Sequence, residues 1–126
     1  MGSFETAVFK DVLSQIEDIF ETVNIYKSVL VASTEAEAVR FSHELGRREF
    51  PVSSTEGILQ FNNDDTRLLI LTTEQADQLA RADREGIALG AFGPDLSRVS
   101  VVISVDCNPE SFLEMEGLRA VRRFFL

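Results

Sequence analysis

Short apolar runs without helical periodicity alternate with amphipathic segments along this chain, and this alternation restricts the fold more than any other feature. The clear runs cover residues 28–32, 68–71 and 99–105, and a weaker run covers 51–54. A continuous apolar run suits a strand covered on both faces, whereas Pro51 suits a sheet edge because proline cannot donate a ladder hydrogen bond. Since helical patterns separate the runs, the sequence predicts an α/β fold with three layers, in which helices cover both faces of a mostly parallel sheet.

The first helix signal covers residues 4–23, where apolar residues recur at spacings of three and four. We interpret this face as core packing, and an exposed face that contacts a partner is the alternative. The apolar positions are Phe4, Val8, Val12, Ile16, Phe20 and Val23. Further helices are predicted from the capping box Thr34–Glu37 to about Gly46, from Thr72 or Thr73 to about Arg84, and from Asn108-Pro109 toward the C-terminus.

Composition excludes several classes of protein. The 126 residues indicate one domain, and 12 basic against 21 acidic residues give a net charge of −9. This balance argues against a free-standing nucleic-acid binder, whose affinity comes from basic groups that face phosphate. Cys107 is the only cysteine and His43 the only histidine, so we expect no intrachain disulfide, no metal site and a reducing, intracellular location. We also expect no signal peptide and no contact with a membrane.

Candidate binding residues follow the predicted strands, because ligands of parallel sheets sit at the carboxyl ends of the strands. These ends are Ser33-Thr34, residues 54–56, Thr72-Thr73 and Asp106-Cys107. Near the C-terminus, Arg119 would share a helix face with Arg122 and Arg123, a fork suited to phosphate. The alternative is that these arginines offset the acidic surface or stabilise the end of the helix.

The order of several segments resembles the C-terminal RecA-like domain of superfamily 2 helicases, closest to the DEAD-box type. The similar segments are 29–34, 49–57, 61–64, 69–73 and 91–106, the last aligning without a gap to the family's "A-R-G-L-D-I-x-x-V-x-x-V-I-x-x-D". The resemblance implies a RecA-like core over 24–126, preceded by a lead-in helix over 1–23. It further implies RNA contacts at Ser33, Thr34, Gly57, Thr72 and Thr73, and nucleotide contacts at Asp95, Arg119 and Arg122.

Departures from the family pattern imply loss of activity. Only three residues separate Gly57 from Phe61, which leaves no room for the RNA-contacting helix of active relatives, and Phe92 replaces an RNA-contacting arginine. Gly93 lies 20 positions after Thr73, which is an insertion relative to the family. The "H-R-x-G-R-x-x-R" motif keeps only the spacing of Arg119 and Arg122.

The resemblance and its departures together predict a non-catalytic interaction or scaffold module of a larger RNA-pathway protein. Pseudo-helicase halves of Tudor-domain proteins in the germline small-RNA pathway are an analogy. One alternative is half of a working ATP-dependent RNA helicase, and another is an unrelated small α/β signalling or binding domain. No cofactor is expected, since ATP would need an N-terminal half with a P-loop. We expect a protein partner, weak or lost RNA binding, and a cytoplasmic location with ribonucleoprotein granules as one option. A homodimer through the N-terminal helix or Phe124-Phe125-Leu126 is a further option.

Overall fold

Five parallel strands form the centre of this domain, in the order β2-β3-β1-β4-β5. The computed structural model describes residues 2–22, 27–47, 52–53, 58–63, 67–86, 94–115, 118 and 121–126. The elements are α1 (Gly2–Thr22), β1 (Lys27–Ala32), α2 (Glu35–Arg47), β2 (Val52–Ser53), α3 (Ile58–Asn62), β3 (Leu68–Thr72), α4 (Thr73–Arg84), β4 (Val99–Val105), α5 (Glu110–Leu113) and β5 (Arg122–Phe125).

The three-layer α/β architecture predicted from the sequence is confirmed. Every strand pair is parallel, with Leu30 of β1 opposite Ile70 of β3 on one side and Ile103 of β4 on the other. The weak run at 51–54 forms only the two-residue strand β2, which lies at one edge of the sheet as its proline predicted. The three central strands are buried almost throughout, which explains their continuous apolar runs.

Successive side chains of each strand pack into two different cores. Alternate residues of the central strands pack against α1 and α2 on one face, around Leu30 and Ile70. The intervening residues pack against α3, α4 and α5 on the other face, around Val31 and Leu71. Because α2 leaves β1 toward one face and α4 leaves β3 toward the other, the chain diverges where these neighbouring strands end.

Helix α1 contributes to the first of these cores with a face that is rotated from the predicted one. Leu13, Ile16 and Ile19 are buried against the sheet, whereas Val8 is 49% exposed. The set formed by these residues and their partly buried neighbours also has helical spacing, and it includes Val12, Ile16 and Phe20 of the predicted face. Phe4 and Val23 lie outside the residues whose side chains the structure describes.

The predicted helix starts at the two central strand ends are correct. The Thr72 hydroxyl accepts a hydrogen bond from the Gln75 backbone amide at 3.2 Å, and the Gln75 side-chain oxygen accepts one from the Thr72 backbone amide at 2.9 Å. This reciprocal pair is a capping box that begins α4. Thr34 likewise accepts a bond from the Glu37 amide at 3.2 Å, but the Glu37 carboxylate accepts a hydrogen bond from Ser33.

The helix predicted from Asn108-Pro109 toward the C-terminus begins close to the expected place, but its predicted extent and asparagine cap are wrong. Helix α5 has only four residues and no side-chain cap, and β5 follows it and pairs with β4. The shared face predicted for the arginines required this helix to continue, whereas side chains in β5 alternate between the two faces of the sheet. Phe124 faces the α1/α2 core, and the ladder continues through a bond from the Leu126 amide to the Ser104 carbonyl at 2.8 Å.

Candidate functional site

A polar cleft lies where β1 and β3 end side by side. It opens between the N-termini of α2 and α4, which leave toward opposite faces of the sheet, and its volume is about 390 Å³. The structure thus brings together four of the five residues predicted to contact RNA, while Gly57 lies outside the described residues. The lining residues are Ser33, Thr34, Glu35, Thr72, Thr73, Glu74, Gln75 and Gln78.

Hydroxyl groups in the cleft take part in local hydrogen bonds. Thr34 and Thr72 cap the two helices, and the Ser33 hydroxyl donates to the Glu37 carboxylate at 2.7 Å. The Thr73 hydroxyl donates to the Ser33 carbonyl at 3.4 Å and so joins the two strand ends. These bonds hold the cleft in shape.

Charge in the cleft opposes a phosphate ligand. None of the described residues that line it is lysine or arginine, and Glu35 and Glu74 stand in the first turns of the two helices. A helix N-terminus favours anions, but a carboxylate in the first turn occupies that favourable position and repels a second anion. Sequence reasoning missed these lining acids, although their place directly after each helix cap was a signal for them.

Asp95 lies on the side of the sheet opposite the cleft, where the strands begin, and it precedes the central strand β4. Its backbone amide donates to the Asn62 side chain at 2.6 Å, and its carboxylate accepts bonds from the Ser97 amide at 3.0 Å and hydroxyl at 2.6 Å. These Ser97 bonds, with smaller contributions from Lys27 and Arg98, lower the pKa of Asp95 below its ordinary value. Its described contacts therefore organise the turn that precedes β4, and its nucleotide role stays a prediction.

Lys27 was also missed by the sequence reasoning. This lysine is only 1% exposed at the start of β1, and its ammonium donates to the Phe61 carbonyl at 2.5 Å. The ammonium also lies 4.4 Å from the centroid of the Phe61 ring. A charged first residue in an apolar strand run was the available signal, since a lysine there must find partners or reach solvent.

The predicted arginine fork is not formed by the two arginines that the structure describes. Arg122 and Arg123 are neighbours in β5 and point to opposite faces. Arg122 lies over Phe124 at 5.6 Å, whereas Arg123 donates to the Leu113 carbonyl at 2.9 Å. Arg119 lies outside the described residues. Because Arg122 stands on the α1/α2 face and Asp95 is tied to α3 on the other, the structure does not bring these two residues together.

Two further groups that sequence alone could suggest for catalysis are Cys107 and His43. Desolvation raises the pKa of the half-buried Cys107 thiol, which also contacts the Val31 carbonyl at 3.4 Å, so the thiol is a poor nucleophile. His43 is exposed on α2. Within the described ranges, no three His, Cys, Asp or Glu side chains are grouped to hold a metal ion. Nor does that part of the chain contain a helix long and apolar enough to cross a membrane.

Comparison with known proteins relates this chain to RNA helicases. It is 30% identical to the ATP-dependent RNA helicase eIF4A of Schizosaccharomyces pombe over 107 residues, and 28% identical to eIF4A of Coccidioides immitis over the same length. In both cases the match covers 83% of this chain but only 26% of the relative. No protein-family model matches the chain.

Solved structures share the fold. The C-terminal domain of a Saccharomyces cerevisiae Dbp5 variant, bound to a Gle1 variant and IP6, superposes with a TM-score of 0.59 at 18% identity. That match covers 92% of this chain and 67% of the other. The Hef helicase domain of Pyrococcus furiosus gives a TM-score of 0.57 at 14% identity, covering 92% of this chain and 24% of the other.

Sheet topology, core arrangement and these matches define a RecA-like domain of the helicase C-terminal type. Within that class, the sequence similarity is to the DEAD-box RNA helicases, as the order of segments indicated.

Proposed function

We propose that this domain is a non-catalytic interaction module of a larger protein, and that it does not hold RNA or ATP on its own. The observation that carries this proposal is the acidic cleft at the ends of β1 and β3. RNA affinity comes mainly from cationic groups that neutralise phosphates, and the described lining supplies carboxylates instead. A net charge of −9 acts in the same direction over longer distances.

Protein binding has precedent on this fold. The Dbp5 C-terminal domain, a structural neighbour, is bound to Gle1. A domain of this fold can therefore present a surface to a protein partner. We propose protein binding for this chain as well. The chemistry of its surface then indicates what kind of partner it binds.

The second candidate is the C-terminal half of a working ATP-dependent RNA helicase. The matches to eIF4A favour it, although the chain spans only 26% of those relatives. In this candidate function ATP would lie between this domain and a separate half with a P-loop, in contact with Asp95, Arg119 and Arg122. The placement of Asp95 and Arg122 on different sides of the sheet weighs against it. The third sequence-based alternative, an unrelated signalling domain, is set aside because the matched proteins are RNA helicases.

A homodimer through the edge strand β5 is a separate proposal. Phe125 is 55% exposed on the edge strand β5, and no described strand pairs with the outer side of β5. Light scattering on the chain and on Phe125→Lys tests this option, since a strand-mediated dimer would become a monomer in the variant.

Titration with labelled single-stranded RNA at low salt tests the main proposal. The wild-type chain should show no saturable binding at micromolar concentrations, with or without a non-hydrolysable ATP analogue. Glu35→Lys with Glu74→Lys reverses the charge of the cleft, and Glu21→Lys with Glu85→Lys changes the net charge equally elsewhere. Both changed glutamates of the control pair are exposed. RNA affinity should rise in the cleft variant well beyond the control.

Micromolar affinity of the wild-type chain for RNA would overturn the proposal, provided that it weakens steeply with salt. Such binding would favour the working-helicase candidate.

A further inference from the structure

An apolar groove of about 600 Å³ runs between α1, α2 and the carboxyl ends of β4 and β5. Val8, Phe9 and Val12 of α1 line the groove, together with Phe41 of α2 and Val105 of β4. This volume lies within the range of about 300–1,000 Å³ found for pockets that bury a ligand. The groove is separate from the polar cleft, because the first turn of α2 stands between them.

Aromatic residues make one wall of the groove firm. The rings of Phe9 and Phe41 pack with centroids 4.8 Å apart, and the guanidinium of Arg40 lies 3.8 Å from the centroid of the Phe9 ring. Val8, at the open side, leaves 49% of its surface exposed. The wall is thus pre-formed, and an apolar side chain that enters the groove gains contacts without rearranging it.

Carboxylates mark the end of the groove near the sheet. Glu37 and Asp106 line it. Their negative charges lie close enough to the neighbouring Cys107 thiol to add to the rise of its pKa that burial causes. The only described basic group in the lining, Arg40, is stacked on Phe9. The groove therefore combines an apolar wall with a net negative end, and the domain carries a charge of −9 around it.

We propose that this groove binds a segment of a partner protein in which apolar side chains stand next to lysine or arginine. The inference rests on the proposed function and deepens it by assigning the surface and the chemistry of the partner. The apolar side chains fill the space beside Val8 and Phe9, and the basic group meets Glu37 and Asp106. A second copy of this chain is disfavoured because two domains of net charge −9 repel each other. RNA does not match an apolar wall with carboxylates at its end.

Two valine variants test the apolar part of this proposal. Val8 lines the groove, whereas Val39 is 62% exposed on α2 and is not part of the lining. The probe is a fluorescent amphipathic peptide of leucine and lysine, titrated against the full chain. Val8→Asp should weaken its binding at least tenfold, while Val39→Asp should leave it within about twofold. Because the two variants carry the same charge, non-specific attraction cancels from the comparison.

The charge requirement is tested with a second pair and a second probe. Asp106 adopts a positive φ of 52°, which asparagine also tolerates, so Asp106→Asn removes the charge without straining the turn. Its control is Asp83→Asn, an exposed position on α4. Asp106→Asn should weaken the leucine-lysine peptide about three- to tenfold and Asp83→Asn should not. A leucine-glutamate peptide of the same pattern should bind at least tenfold more weakly than the leucine-lysine peptide.

Several results would overturn the inference. These are equal binding by Val8→Asp and Val39→Asp, equal binding of the acidic and basic peptides, or a wild-type dimer that Val8→Asp alone converts to a monomer. The last result would assign the groove to a second copy. Circular dichroism and thermal melting confirm that each variant is folded. If the peptide tests fail and the chain does not bind RNA, the groove proposal is refuted while the proposal of an interaction module stands. Tight RNA binding would refute the interaction module itself.

Discussion

Lys27 offers the most demanding test of how this domain is held together. Its side chain is 1% exposed, and its ammonium is bonded to the Phe61 carbonyl and lies over the Phe61 ring. Lys27→Met keeps most of the packed stem but loses a charge-assisted hydrogen bond worth about 1.5–3 kcal/mol and a cation–π contact worth up to about 2 kcal/mol. It also removes the cost of burying an ammonium, which offsets much of that loss. We therefore expect Lys27→Met to lower the free energy of unfolding by about 1–2 kcal/mol.

Lys27→Ala should cost more, because it also deletes three buried methylene groups at about 0.8 kcal/mol each and leaves a cavity. The expected loss is about 4 kcal/mol. Urea denaturation measures both variants. With a slope of about 1.5 kcal/mol per molar, the midpoint should fall by about 1 M for Lys27→Met and by more than about 2 M for Lys27→Ala. Lys10→Met, at an exposed position on α1, is the control and should change the free energy of unfolding by less than about 0.5 kcal/mol.

Equal losses in Lys27→Met and Lys27→Ala would refute this reasoning, because the stability would then reside in the ammonium and not in the packed stem. Losses below about 1 kcal/mol in both variants would show that the side chain is not buried in solution.

The cap of α4, the Asp95 turn and the edge strand β5 can each be tested by substitution. Thr72→Ala removes the capping hydroxyl of α4 and should cost about 1 kcal/mol in urea denaturation, most of which Thr72→Ser should restore. The pKa of Asp95 is lowered in the folded domain, so its charge adds stability above its unfolded pKa, and this stability is lost as pH falls through the folded pKa. In thermal melts Asp95→Asn should accordingly be less stable than the wild type at pH 7, and the difference should shrink as pH falls below the ordinary pKa of an aspartate. A difference that does not change with pH would contradict this assignment. Phe124→Ala should lose about 2 kcal/mol and Phe125→Ala less than about 1 kcal/mol, because only Phe124 faces the core from β5. Equal losses would argue against the strand.

Local chemistry made the centre of the fold predictable. The runs that form β1, β3 and β4 are apolar without a period because helices cover both faces of each strand. Their burial could therefore be inferred from the sequence alone. The cap of α4 was also readable, since Thr72 and Gln75 act within four residues of each other.

The C-terminal segment was not readable in the same way. The four residues 122–125 are too few for a period that would distinguish a helical turn from a short strand. They form a strand because β4, about 20 residues earlier, offers them backbone groups to pair with.

The place of Lys27 was hidden for a similar reason, because its partner Phe61 is 34 positions along the chain. The location of the cleft was predictable, and the position of each glutamate after a helix cap was visible, but the sequence did not show that the two glutamates line one cleft. The spacing of Ser33, Thr34, Thr72 and Thr73 shows where strands end, whereas the charge of a cleft depends on how neighbouring helix turns face one another.

The acids in the first turns of α2 and α4 connect the stability of this domain to the charge of the cleft, whose described lining contains no lysine or arginine. Each carboxylate at a helix N-terminus stabilises its helix by about 0.3–1 kcal/mol, and the same carboxylate cancels the positive end of the dipole that a phosphate would use. Without these acids the two helix N-termini would be more favourable for phosphate, but each helix would lose that stabilisation. Replacing Glu35 and Glu74 with lysine should therefore lower the free energy of unfolding by about 1–2 kcal/mol while making the cleft more attractive to RNA. A gain in RNA affinity without that loss of stability would show that the two acids do not interact with the helix dipoles, and that they repel phosphate only through the net charge of the domain.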